Sequence, residues 1–223
     1  MERVVGALLP LAVVVAISPV PIVAVILMLL TPKAGGTSVG FLAGWVAGIA
    51  GVTSMVLLLA GEPGPGSGRS SVAASWVELA LGGLLLALAA RQWWSQPRRG
   101  AEPGSPQWLA AIDRFTAVQA GGLGLVLSAV NPKILLVCVA AGLVIAGGGL
   151  SGAEDAWSVV AFTGLAASTV AVPVAAYAVG RRHMAGALES LRRWLTAHSA
   201  VVTATLLLVI GVILIGQGLG GLV

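Results

Sequence analysis

The sequence predicts an all-α polytopic membrane protein, and three observations carry that class. Of its 223 residues, 58% are apolar and only 9% charged, with a mean hydropathy of +1.02. Its apolar runs repeatedly exceed the roughly 18 residues that mark a membrane-spanning helix. Apart from Lys133, its basic residues fall in or beside the short segments between those runs. The net charge of +4 therefore reads as a topology signal and not as a nucleic-acid surface. The 31 glycines fit the same class, because glycine lets membrane helices approach backbone to backbone. Cys138, the single cysteine, sits inside an apolar stretch, so neither a disulfide framework nor metal-ligand spacing is present and no cofactor is expected.

Six spans follow in order, forming one transmembrane domain over residues 1–223. Span 1 covers about Val4 to Leu30 and is interrupted near its middle by Ser18-Pro19-Val20-Pro21. Arg3 precedes this run as in a secretory signal. The small-residue site Ala16-Ile17-Ser18 runs straight into Pro19, however, so a retained span is expected. Span 2 runs from about Val39 to Ala60, with Gly40, Gly44 and Gly48 four apart on one face. That small-residue ridge suits close helix packing, within the chain or in a homodimer. After a Gly, Pro and Ser-rich loop, span 3 covers about Val72 to Trp94 and ends on a Trp pair suited to a membrane interface. It carries Glu78 about two turns inside its start, where a carboxylate is either solvated at the interface or used for coupling or ion pairing. Residues from about 95 to 116 form the polar connector, with an amphipathic surface segment at Trp108 to Phe115.

Span 4, about Val118 to Gly149, contains Asn131-Pro132-Lys133. Proline removes a backbone N–H and clashes with the preceding turn. A lysine at the centre of a spanning helix costs roughly 2.5–3.5 kcal/mol on insertion scales and marks a functional site by default. Span 5 covers about Trp157 to Val179, with Pro173 as an expected kink, and span 6 about Ser199 to Gly218. With six spans, Lys33, Arg91, Arg98, Arg99, Arg114, Arg181, Arg182, Arg192 and Arg193 share one side, against Arg3 and Arg69 on the other. The positive-inside rule makes the richer side cytoplasmic and puts both termini outside.

The two halves, about 1–95 and 117–223, are alike in one respect that bears on function. Each opens with a span broken by a small polar residue directly before proline: Ser18-Pro19 in one, Asn131-Pro132 in the other. Three spans per half invert the second half relative to the first. Proline-interrupted helices at corresponding places in a 3+3 inverted repeat point to a transporter's binding site. Half-helix ends there carry partial positive charge suited to an anionic headgroup, and Lys133 adds a full charge. Ser18 and Asn131 offer hydrogen bonds. The competing role of Lys133 is internal, as the ion-pair partner of Glu78.

Ser18-Pro19-Val20-Pro21-Ile22 followed by Thr31-Pro32-Lys33, then Gly40-Phe41-Leu42-Ala43-Gly44-Trp45, and Asn131-Pro132-Lys133 in the second half resemble the GAP family. These are the glycopeptidolipid- and sulfolipid-addressing proteins of the lysine-exporter (LysE) superfamily, and the resemblance covers nearly the whole chain. It implies movement of glycolipids toward the cell surface, and it implicates Ser18, Pro19, Pro21, Asn131, Pro132 and Lys133. The wider superfamily exports amino acids and small ions. Ser-Pro-Val-Pro stands here in place of the Pro-Gly-Pro of amino-acid exporters, which argues against an amino-acid substrate.

The expected function is therefore export or flipping of an anionic lipid or glycolipid intermediate across a bacterial inner membrane toward the envelope. The alternatives are an exporter of amino acids or small cations and a non-transporting scaffold for envelope-biosynthesis enzymes. An enzyme is not expected: a nucleotide-binding loop, a His-Glu metal motif, a Gly-x-Ser-x-Gly elbow and paired intramembrane carboxylates are all lacking, and His183 and His198 lie in or beside a cytoplasmic loop.

Overall fold

The computed structural model describes residues 2–31, 34–60, 68–94, 112 and 115–179, and in the C-terminal part 186, 190, 204–205, 207–216 and 218–220. The connector, including most of the Trp108 to Phe115 segment, the basic residues Lys33, Arg98, Arg99, Arg114, Arg181, Arg182, Arg192 and Arg193, and both histidines, His183 and His198, lie outside the described residues.

Among the described residues the chain is all-helical, without strands, apart from short turns and caps between the helices. Helices α1 (Glu2–Ala16) and α2 (Pro19–Leu30) are the two halves of span 1, and α3 (Ala34–Ala60) is span 2. Helix α4 (Gly68–Trp94) follows, then α5 (Ala117–Ala129) and α6 (Pro132–Ala146), the halves of span 4, and α7 (Gly152–Val179). A C-terminal apolar helix, α8, covers Leu207–Gly220. Local signals explain several boundaries. Thr116 and Gln119 form a reciprocal capping box that starts α5. Pro19 and Pro132 each occupy a first helical position, where a missing N–H costs nothing. Gly149 takes a positive φ of 59° in the turn before α7, and Glu154 accepts from the Ser151 N–H at 3.0 Å to close that helix's first turn. Pro173, expected to kink span 5, is buried inside α7, which runs through it without interruption.

By length and composition α3 and α7 are apolar enough to cross a membrane, and the count reaches four when each bent pair, α1/α2 and α5/α6, is one span. The sequence led to an expectation of six. The remaining two candidates are α4, as long as α3 but carrying Ser70, Ser71, Glu78, Arg91 and Gln92, and the shorter α8. These two pack on each other. Gly82 meets Gly211 and Ile215, while Gly218 meets Ser75 and Leu79, so the pair runs antiparallel with glycine at each close approach.

The central packing sets each long unbroken helix against one bent pair. Gly40, Gly44 and Gly48 of α3 face Ala117, Gly121 and Ser128 of α5 in ascending order, so the two helices run parallel and in backbone contact. Farther along, Gly142 of α6 lies against Thr53 and Val56 of the same α3, and the buried Cys138 also lies beside Thr53 as a packing residue. The glycine ridge read from the sequence is thus occupied within one chain. On the other side α7 lies along α1 and α2. Helix α2 is the most enclosed element, buried almost continuously from Pro21 to Leu29. Phe41, Trp45 and Ile49 of α3, Met28 of α2, Ile134 and Val137 of α6 and Phe162 and Val170 of α7 fill the core. The outward faces stay apolar: Leu9 on α1, Met55 and Leu58 on α3, Val126 on α5 and Val160 and Val172 on α7 are exposed. That distribution fits a protein whose solvent is lipid.

Candidate functional site: two helix breaks that meet

The first break bends the chain by 52° between α1 and α2, and the second by 66° between α5 and α6. Their backbones are nearly superimposable at the decisive residue. Ser18 has φ −67° and ψ 116°, and Asn131 has φ −66° and ψ 116°. The following proline imposes this extended conformation, since its ring excludes the helical region for the residue before it. Each helix therefore stops, turns and restarts with proline at its first position.

Lys133 brings the two breaks together. Its Nζ donates to Ser18 Oγ at 3.4 Å, across a sequence separation of 115 residues. Ser18 is buried, only 4% exposed, while Lys133 is half-buried. Pro21 is buried, Pro19 and Asn131 are half-buried and Pro132 is exposed. Of the six residues, Ser18 and Lys133 are in contact across the two breaks, and Pro19, Pro21, Asn131 and Pro132 stand next to them along the chain. Glu78 belongs to α4, but its side chain, and with it the expected pairing to Lys133, lies outside the described residues.

The two cap residues do different work. Asn131 Oδ1 accepts from the Lys133 backbone N–H at 3.1 Å and caps its own helix. Ser18 makes no side-chain cap bond to α2, and its hydroxyl takes the lysine ammonium instead. Backbone donors at the breaks are fewer than the sequence reading of open half-helix ends implied. Pro19 and Pro21 have no N–H, which leaves Val20 as the one donor in the first three positions of α2. In α6, Pro132 has none and the Lys133 N–H is already bonded, which leaves Ile134. The partial positive charge of each helix start remains. Lys133 places a cation at one such start, where the macrodipole disfavours it, and so concentrates positive potential at the junction.

The freed carbonyl at the first break is satisfied by a residue that the sequence does not single out. Thr169 Oγ1 of α7 donates to the Ala16 carbonyl at the end of α1. Before the second break Ser128 Oγ instead back-bonds to the Gly124 and Leu125 carbonyls inside its own helix, at 2.9 and 3.0 Å, and Gly48 of α3 makes room for it. Trp45 Nε1 and Thr163 Oγ1 are buried with no hydrogen-bond partner among the described residues. No group of His, Cys, Asp and Glu able to hold a metal ion occurs among the described residues.

Apolar helices with exposed apolar outer faces, and two bent pairs with matched prolines that meet over a lysine, fit a helical membrane protein with a polar junction inside its core. The chain belongs to the family described as Sap, sulfolipid-1-addressing protein, whose model matches residues 8–220. No curated protein and no solved structure matches it. The family's name and the apolar helices connect the chain to lipid handling at the cell envelope, and the family agrees with the GAP-type resemblance carried by the two proline motifs.

Proposed function

We propose that the chain is a six-span transporter, built as a 3+3 inverted repeat related to the LysE superfamily, that exports or flips an anionic lipid or glycolipid intermediate across the inner membrane toward the envelope. Both termini face outward, and cargo passes by alternating access around the two broken helices. The observation that carries this reading is the junction itself: two breaks of matching backbone conformation, joined by Lys133 and Ser18. The pairing of α3 with the broken α5/α6 and of α7 with the broken α1/α2 supports the repeat, because a pseudo-two-fold axis would exchange those pairs. A cation held at a helix start inside an apolar core is stabilised by a passing anion, which supports an anionic headgroup. The chain acts by moving cargo and not by chemical conversion. Membrane lipids are its surroundings and source of cargo, and envelope-biosynthesis enzymes are the partners that would supply it.

The test is transbilayer movement of a labelled anionic glycolipid by the purified protein in liposomes, run beside uptake of labelled amino acids and cations. Lys133→Gln should slow lipid movement by at least about tenfold, equivalent to about 1.4 kcal/mol, with helical content and melting temperature retained. Transport of amino acids or cations alone would favour the small-molecule exporter. Activity on none of these, with envelope enzymes recovered by pull-down, would favour the scaffold.

A further inference from the structure

We infer that Trp45 and Thr163 are a second, uncharged part of the cargo site: the indole N–H and the threonine hydroxyl take a hydroxyl group of the headgroup whose anion Lys133 holds. This rests on reading the breaks as a cargo site and adds the class of headgroup that the site selects.

Three observations carry it. The first is that both groups are buried and unsatisfied. Trp45 is 0% and Thr163 5% exposed, and neither Trp45 Nε1 nor Thr163 Oγ1 has a hydrogen-bond partner among the described residues. Thr53 and Asp155 also carry a buried atom without such a bond, but the Cys138 thiol lies beside Thr53, and Asp155 has another interaction. A buried donor left unpaired costs more than a made bond returns, and most of all where the solvent is lipid. The indole is held in place by Phe41, whose ring stacks on it at 6.3 Å and within 11° of parallel. Thr163 has a carbonyl of its own preceding turn in reach, the kind that Ser158 and Ser168 bond, and leaves it unused.

The second observation is their placement. Counted from Ala34 and from Gly152, Trp45 and Thr163 are each the twelfth residue of α3 and of α7. At 1.5 Å per residue each lies about 17 Å along a helix about 40 Å long, within about 4 Å of its middle, and α3 packs on α7. The same rise puts them at the depth of the junction. Helices α2 and α3 pack together and are joined by a turn in which the Ala34 N–H donates to the Thr31 carbonyl. Ser18 stands about 18 Å from that turn along α2 and Trp45 about 17 Å along α3. Transporter cargo sites lie at this depth, between the two halves. The third is the chemistry offered. An indole N–H only donates, whereas a threonine hydroxyl also accepts. A headgroup hydroxyl satisfies both, since its oxygen accepts from Trp45 and its hydrogen goes to Thr163. An oxygen without a hydrogen cannot do so.

Phosphatidylglycerol and phosphatidylethanol separate the two parts of the site, because both carry one phosphodiester charge and only the first has headgroup hydroxyls. Their spin-labelled forms are titrated against the full chain in phosphatidylcholine vesicles, and immobilisation is measured. The parent should bind phosphatidylglycerol about tenfold more tightly. Trp45→Phe, which keeps a ring against Phe41, and Thr163→Val, which keeps the shape, should each cut that preference about threefold, and together they should abolish it. Thr163→Val removes no bond made within the chain, so its melting temperature should hold or rise. A lower melting temperature with the preference intact would make the hydroxyl a structural group and overturn the inference. So would a parent without preference, or a preference that survives both substitutions, which would leave the two groups facing water only. Competition by free glycerol 3-phosphate as strong as by phosphatidylglycerol would overturn the lipid headgroup as the ligand. In each of these cases the cargo site stands if Lys133→Gln loses both lipids. Undiminished binding of both lipids by Lys133→Gln would overturn the cargo site itself.

Discussion

At the first break the carbonyl of Ala16 has no following helical turn to bond, and Thr169 of α7 supplies the missing donor. Thr169→Val keeps the shape and removes the hydroxyl, leaving a buried carbonyl unsatisfied. The expected loss is about 1–3 kcal/mol, read as a lower melting temperature in detergent, with Thr169→Ser restoring most of it. Ser18, Asn131, the prolines and Lys133 were legible in the sequence because each is costly in an apolar helix and needs a reason to be there. Thr169 was not legible. A hydroxyl in a helix can always bond a carbonyl of its own preceding turn, as Ser168 does to Leu165 and Ser158 to Glu154. Nothing in the local sequence separates Thr169 from these neighbours. Only the approach of α1 does.

Among elements, α3 and α5 show how strictly glycine is required where helices touch through their backbones. A Cβ added at Gly44 would run into the Gly121 carbonyl, and one at Gly124 into Phe41 and Trp45. Gly44→Ala should therefore cost about 3 kcal/mol through overpacking. Gly51→Ala, on the same helix with nothing within 4 Å, should be neutral or slightly stabilising, since alanine is the better helix former. Comparing the two melting temperatures checks this, and equal effects would mean that α3 and α5 are not in backbone contact. The ridge Gly40, Gly44 and Gly48 was visible as a spacing, but its partner was not. A small-residue face suits any close helix, and the matching glycines of α5 lie some eighty residues away along the chain.

For the molecule as a whole, loop charge and helix direction make a common prediction. The parallel packing of α3 with α5 and the antiparallel packing of α4 with α8 both agree with six spans in the proposed order. Residues Trp94 and Gly152 then lie on opposite sides, with the broken span 4 between them. Cysteine at Gly152 should react with an impermeant maleimide from outside, and cysteine at Trp94 from the cytoplasmic side, in a Cys138→Ala background. Reaction of both from one side would exclude a spanning α5/α6 and make that pair re-entrant.

By itself the sequence determined the class of protein, the positions of both helix breaks and the residues that flank them. Those are consequences of local costs: the desolvation of charge and of unpaired backbone in an apolar solvent, and the geometry that proline imposes on its neighbours. The tertiary structure alone decided that Lys133 reaches Ser18, that Thr169 closes the first break and that α3 takes α5 as its glycine partner. Each of these depends on which distant helices lie side by side. That is settled by the fit of whole faces, such as the bare backbone of α3 against that of α5, and no short stretch of sequence carries it.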